Sequence, residues 1–332
     1  MFIASPRRLA ALTAGGLASA ALTVASFGAP AQAANSVITI DKTFTYDCEP
    51  IVTIGTDSAS LGNHPVEVQA QSTIPSTVHA GQTIAPTPTK ITLHMSDNLW
   101  LANKALTHVA NAVDGSSTDS TLGVSLDGAA PAWVPIDGLS VKDAPIPVAA
   151  PDVWTPPAPW VIPTAGTVRA VKIPANATGK KLSLHMPQKF TAGALIKGGW
   201  LDDGSGVPDY QNVKTDMTCV LDQADDTLLG SPVTVTKAPA TITSAKLKPK
   251  KVQAKKKAPK LTVQVASDAA ATGAVTVTLK GKTVGTGTVA NGAATIKLKK
   301  FKKAGKHKLT VTYAGDANSL GATTTVKVKV VK

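Results

Sequence analysis

The chain has 332 residues, 43% of them hydrophobic and 4% aromatic, with 34 Lys plus Arg, 21 Asp plus Glu and two cysteines. No apolar run beyond the first 33 residues is long enough to cross a bilayer as a helix, and with two cysteines and six scattered histidines, none at metal-ligand spacing from another, no zinc site is expected. The charge is uneven: residues 34–236 carry 11 basic and 19 acidic side chains, whereas residues 237–332 carry 21 Lys, no Arg and two acids, Asp268 and Asp316. Such asymmetry points to a basic part that meets a polyanion.

In chain order, residues 1–33 read as a signal peptide. Arg7 and Arg8 form the positive start, a mildly apolar Ala/Leu run follows, and Ala31-Gln32-Ala33 offers small residues for cleavage after Ala33. Gly15, Gly16 and interspersed Ser and Thr weaken the run as a membrane anchor, and Pro6 stands before the arginine pair where a twin-arginine signal has Ser or Thr; the export route stays open. The last residues carry no sorting motif, apolar tail or lipidation cysteine, so no covalent anchor is expected.

Residues 34–236 form the expected first module, mainly β and built as one or more sandwiches. Alternation places Phe44, Tyr46 and Cys48 on one face of a strand, then Val66, Val68 and Ala70, then Ile91, Leu93 and Met95. Ser96 is a helix N-cap, and Leu99, Ala102, Leu106, Val109 and Val113 recur at helical spacing, predicting one helix from 97 to about 113. A proline-rich stretch follows, and a split into two sub-domains is expected near 125–165. Further strands lead to Met217, Cys219 and Leu221 on an inward face. Cys219 has Cys48 as its sole intrachain partner, and an even cysteine count in an exported chain is read as a disulfide. Closing so long a loop stabilises by at most about 5 kcal/mol in the chain-entropy picture.

Tyr46-Asp47-Cys48, the stretch Pro75-Ser76-Thr77-Val78-His79-Ala80-Gly81 and the start of 219–229, Cys219-Val220-Leu221-Asp222, resemble a family of secreted actinobacterial domains of unknown function built around one widely spaced cysteine pair. The resemblance covers about 36–236. It implies export and domain boundaries, with no activity attached.

Residues 237–260 read as a Lys/Pro-rich linker, with eight lysines between 246 and 260 that repel one another and favour extended chain, and with a first strand over 240–247. Six more alternating segments follow, with Asn291-Gly292 as a hairpin turn, which gives a seven-stranded immunoglobulin-like sandwich over 240–332. Gly281-Lys282-Thr283-Val284-Gly285, Ala293-Ala294-Thr295-Ile296-Lys297 and Tyr313-Ala314-Gly315-Asp316 resemble the bacterial immunoglobulin-like repeat of secreted and surface proteins. That sandwich serves as spacer, stalk and binding module alike, so it implies the fold and not the ligand.

Three groups of residues are candidate sites. Lys297, Lys299, Lys300, Lys302, Lys303, Lys306 and Lys308, with Lys327 and Lys329, are placed to cover one side of the sandwich and attract anionic cell-envelope polymers or polysaccharide; the same lysines also suit a plain solvated surface that guards strand edges. Arg is absent and aromatics are few, so no specific nucleic-acid readout is expected. Trp133, Trp154 and Trp160, interleaved with prolines, present indole faces that stack on sugar rings in one reading and cover the ends of a sandwich in the other. Asp203, Ser205 and Asp209 sit around Gly206 in an incomplete calcium-loop pattern, with Leu201 where its first Asp belongs. No nucleophile elbow or phosphate loop is found, and no cofactor is expected. The chain is thus expected to be a secreted, non-enzymatic binding or structural protein tied to the envelope by its basic domain, with a carbohydrate-recognition module as the alternative and the oligomeric state open.

Overall fold

The computed structural model describes residues 36–54, 56–108, 110–201, 209–223, 226–249, 251–256 and 258–332. The expected signal peptide lies outside the described residues. The chain runs through β1 (Val37–Ile54), β2 (Asp57–Ser60), β3 (His64–Pro75), β4 (Val78–His79), β5 (Thr83–Ile84) and β6 (Thr87–Met95) into helix α1 (Asp97–Thr107). It continues through β7 (Ala112–Ser116), β8 (Thr121–Leu126), β9 (Ala132–Pro145), β10 (Trp160–Val168), β11 (Val171–Lys172), β12 (Lys181–His185), the hairpin of β13 (Lys189–Leu201) and β14 (Asp209–Leu221), and β15 (Val233–Thr236).

Eight of these strands close on themselves. The order β10-β6-β3-β1-β14-β13-β7-β9 returns to β10 through the β9–β10 pairing. Stepping between paired residues from Asp41 through Gln71, Lys90, Ala165, Ser140, Ser116, Gly193 and Asp216 arrives at Ile51, on the strand of origin but displaced along it. That displacement is the stagger that closing a barrel requires. A mainly β chain with one short helix is as expected; in the first module the facing layers are walls of one ring rather than separate sheets. Residues 125–165 hold β9, which pairs with β7, β8 and β10, so the region read as a split is a junction of the continuous sheet.

Period-two alternation sorts the two sides of the ring. On β1, Ile40, Phe44, Tyr46, Cys48 and Val52 are buried, whereas Asp41, Thr43, Thr45, Asp47 and Glu49 are exposed. Apolar residues thus face inward and polar ones outward, the reverse of a lipid-facing barrel. Cys48 and Cys219 are paired residues of the adjacent antiparallel strands β1 and β14, joined by a disulfide across 171 positions.

The helix is shorter than its sequence suggests. It starts at the expected Ser96 cap, whose hydroxyl accepts from Leu99 N–H at 3.3 Å, but it ends at Thr107, and Val113, Asp114 and Gly115 belong to β7. Its buried face carries Leu99, Trp100, Asn103, Lys104 and Thr107. The sequence face was missed because Lys104 is buried by its partners: its Nζ donates to the carbonyls of Ala150, at 2.7 Å, and Val153, and the Trp100 Nε1–H donates to Pro147 O at 2.8 Å. These bonds seat the proline-rich loop on the helix.

The basic region folds as β16 (Ala240–Lys248), β17 (Val252–Gln253), β18 (Lys260–Ser267), β19 (Gly273–Leu279), β20 (Lys282–Val289), β21 (Ala293–Lys297), β22 (Gly305–Tyr313) and β23 (Ala322–Val331). Sheets β16-β18-β21 and β17-β23-β22-β19-β20 pack around Leu261, Val263, Ile296, Val277, Leu309 and Val311. The lysine-rich run is not an extended linker. Within it β17 adds an eighth strand, pairing parallel to β23, with Val252 buried and Lys255 N–H bonded to Phe301 O at 2.8 Å; apolar burial and backbone pairing outweigh the mutual repulsion of the lysines. The junction is likewise bonded: Ala238 N–H donates to Asn318 O, Ala238 O accepts from Leu320 N–H, and Gly81, at φ +73°, admits the backbone of Asp268 where any Cβ would collide.

Candidate functional site

The inward side chains of the barrel leave a cavity of about 160 Å3. Its walls include Ile40, Val52, Val68, Ile91, Leu93 and Ile162, and small residues, Ala70, Ala192, Gly193 and Ala194, leave the space. Leu99 and Asn103 of α1 line it at one end. Toward the other lie Ser72, Thr87, Ser116 and Ser117, with Arg169 held by Asp137 through two 2.7 Å bonds. The Arg169 guanidinium keeps the Asp137 carboxyl below the usual carboxylate range.

Most polar groups of the lining are internally satisfied. The Thr164 hydroxyl donates to Ile91 O at 2.6 Å and that of Thr89 to Gln71 O at 3.1 Å. Two are not: among the described residues Trp160 Nε1 and Thr215 Oγ1, both buried, find no hydrogen-bond partner, and both residues line the cavity. Buried polar groups are nearly always paired, so an unpaired donor and an unpaired hydroxyl on one apolar chamber call for a cause.

A second feature lies on the sandwich. Lys306 faces Lys329 and Lys308 faces Lys327 across β22 and β23, whereas Lys248, Lys260 and Lys297 face one another across β16, β18 and β21. Strand alternation exposes them on the outer faces of both sheets. The expected single side is thus an end instead: Lys299, Lys300, Lys302 and Lys303 occupy the β21–β22 connection between the two ladders, at the pole where β16 finishes and β22 begins. The domain's only acids lie at the opposite pole, where Asp316 is in the β22–β23 turn and Asp268 follows β18 beside Gly81 of the first module. Among the described residues no lysine of this pole makes an ion pair. Like charges directly opposite on a sheet are destabilising, so the pattern weakens the sandwich rather than supporting it.

The tryptophans do not form a platform. Trp160 is 5% exposed because alternation on β10 turns it into the barrel, which removes it from any surface that meets a sugar. Trp133 lies over Gly123 of the neighbouring strand, where an added Cβ would come within 2.7 Å of its ring, and Trp154 sits in the proline-rich loop with the Lys104 ammonium 5.1 Å from its ring centre. Asp203 and Ser205 of the calcium pattern lie outside the described residues, as does the side chain of Asp209 at the start of β14.

Residues 45–230 match the family model described as Family of unknown function (DUF6801), and residues 245–331 match the bacterial Ig-like domain (group 3). The chain belongs to the DUF6801 family. Among solved structures it is similar to the ICAM-5 D1–D4 ectodomain fragment, at 11% identity over 90% of this chain and 73% of that one with a TM-score of 0.28. It is also similar to fibronectin(III)-like modules of Clostridium thermocellum CbhA, at 13% over 76% and 88% with 0.22, and to the adhesin domain of Epf from Streptococcus pyogenes, at 10% over 88% and 97% with 0.24. Likeness at this level carries no functional argument. No curated protein matched.

In this DUF6801 chain the sequence pointed neither to the cavity nor to one polar cluster. His185 sits between the hydroxyls of Ser125, 2.8 Å from Nε2, and Thr227, 2.9 Å from Nδ1, and burial lowers its pKa. Ser125 is 3% exposed, and the two bonds tie β8 and β12 to the segment after β14. Only pairing across the sheet brings these three residues together.

Proposed function

We propose that this protein is a secreted, non-enzymatic binding protein whose Ig-like domain attaches it to anionic polymers of the cell envelope. The observation that carries this reading is the axial segregation of charge: lysine ladders on both sheets at one pole, acids and the junction with the barrel at the other. Uncompensated like-charge ladders lower folding stability, and a phosphate- or carboxylate-bearing polymer relieves that repulsion by counterion release. Lysine supplies diffuse attraction where Arg would supply bidentate readout, which suits a polymer without a fixed binding motif. The domain match to a bacterial Ig-like module, used widely as spacer and binder, is consistent with that role.

The test uses the full chain lacking residues 1–33 and a variant with Lys306, Lys308, Lys327 and Lys329 changed to Gln. The unsubstituted protein is expected to sediment with isolated cell walls at low salt and to release as salt rises. The variant should release at lower salt, with the slope of log affinity against log salt reduced by roughly 0.7–0.9 per lysine that meets a phosphate. Retention indifferent to salt and to the four substitutions would rule the attachment out.

A further inference from the structure

We propose that the interior of the barrel is a binding site for a small, uncharged, mainly apolar molecule that carries one hydrogen-bonding oxygen. The cavity lies inside the continuous hydrogen-bonded ring, with Leu99 and Asn103 of α1 at one end, and it is partly open to solvent. Among the described residues its lining carries one charged side chain, Arg169, at the end away from α1 and held by both oxygens of Asp137. Bringing an ion there would strip its water with nothing to replace it, so charged ligands are excluded. At about 160 Å3 the chamber is close to the apolar cavities that take benzene, which sets the ligand at about six to ten non-hydrogen atoms.

Polarity is specified by the two orphaned groups. Trp160 is 5% and Thr215 9% exposed, and each has a buried polar atom without a partner among the described residues. The indole N–H can only donate and the hydroxyl can do either, so an alcohol, ketone or ester oxygen within reach of either satisfies what the fold leaves unpaired. An all-hydrocarbon ligand would fill the space and leave the penalty. Small residues on two strands, Ala70 of β3 and Ala194 of β13, hold the chamber open where larger side chains would pack it. This site is independent of the lysine pole, and either proposal can fail alone.

The probes are octan-1-ol and its charged counterpart octylammonium, titrated calorimetrically into the full chain lacking residues 1–33. Octan-1-ol is expected to bind with one-to-one stoichiometry and to raise the melting temperature, and octylammonium to do neither. Ala194→Leu and, separately, Ala70→Val fill the chamber and should abolish octan-1-ol binding while leaving the melting temperature without ligand equal or higher, so that loss of binding is not loss of fold. Trp160→Phe keeps the ring and removes the donor; it should weaken octan-1-ol about tenfold. No saturable binding of octan-1-ol, or binding that survives both filling substitutions, would show the cavity to be a packing defect.

Discussion

Asp316 shows how one carboxylate organises a turn. It accepts the N–H groups of Thr272, Asn318 and Ser319 at 2.6–2.8 Å and the hydroxyls of Thr272 and Tyr313 at 2.9 and 3.0 Å. Burial alone would raise its pKa, but these donors outweigh it and hold the carboxyl well below the usual range. Its contribution to stability is therefore complete above the ordinary carboxylate pKa of 3.8 and is lost as pH falls below that toward the depressed folded value. Asp316→Asn should lower the unfolding free energy of the sandwich by about 1–3 kcal/mol at pH 7, and by much less at pH 2, as read from denaturant melts at the two pH values. Tyr313, pushed up to about 12 by burial and then by Asp316, has the opposite sign: its share is intact below pH 10 and disappears as pH rises toward 12. Cys48 and Cys219 were legible at this scale because the chain has no other cysteine; Trp160 was not, because spacing does not say which side of a strand is the inside.

At the scale of elements, α1 departs from its pattern for a reason located elsewhere in the chain. Leu99, Ala102, Leu106, Val109 and Val113 form a credible apolar stripe, yet the helix turns Asn103 and Lys104 inward and stops at Thr107, because the carbonyls of the 146–159 loop provide the partners that a buried ammonium requires. Lys104→Ala should therefore free that loop more than it unfolds the helix: limited proteolysis should cut between 146 and 159 several-fold faster, while global stability falls by about 1–3 kcal/mol. Unchanged cleavage would assign the loop's position to Trp100 and its bond to Pro147 instead. The basic run after Lys237 follows the same logic. Its charge favours extension, but Leu247, Val252 and Leu261 alternate into the sandwich and take the lysines with them onto the rim.

At the scale of the molecule, the disulfide joins β1 and β14, neighbouring strands of the ring whose cysteines lie 171 positions apart in sequence. Replacing both cysteines with Ser should destabilise the barrel by up to about 5 kcal/mol, since the loop removed from the unfolded ensemble is long. The sandwich, which has its own core, should melt where it did before, so the thermogram should separate into two transitions. A single transition shifted as a whole would mean that the bonded junction around Ala238 and Gly81 couples the two units into one cooperative structure.

The sequence by itself determined the β character, the inward and outward sides of most strands, the cysteine pairing, the sandwich and the opposite charges of its two parts. Each is written in local alternation, in composition or in a count. Only the tertiary structure decided that β9 meets β10 to close a ring, that the ring encloses a chamber with Trp160 and Thr215 on its wall, and that the lysines gather at a pole rather than on one side. A strand in an open sheet and a strand in a barrel share the same two-residue period; closure is set by long-range register, and the volume left inside by how side chains from eight strands add up. No local pattern carries either quantity.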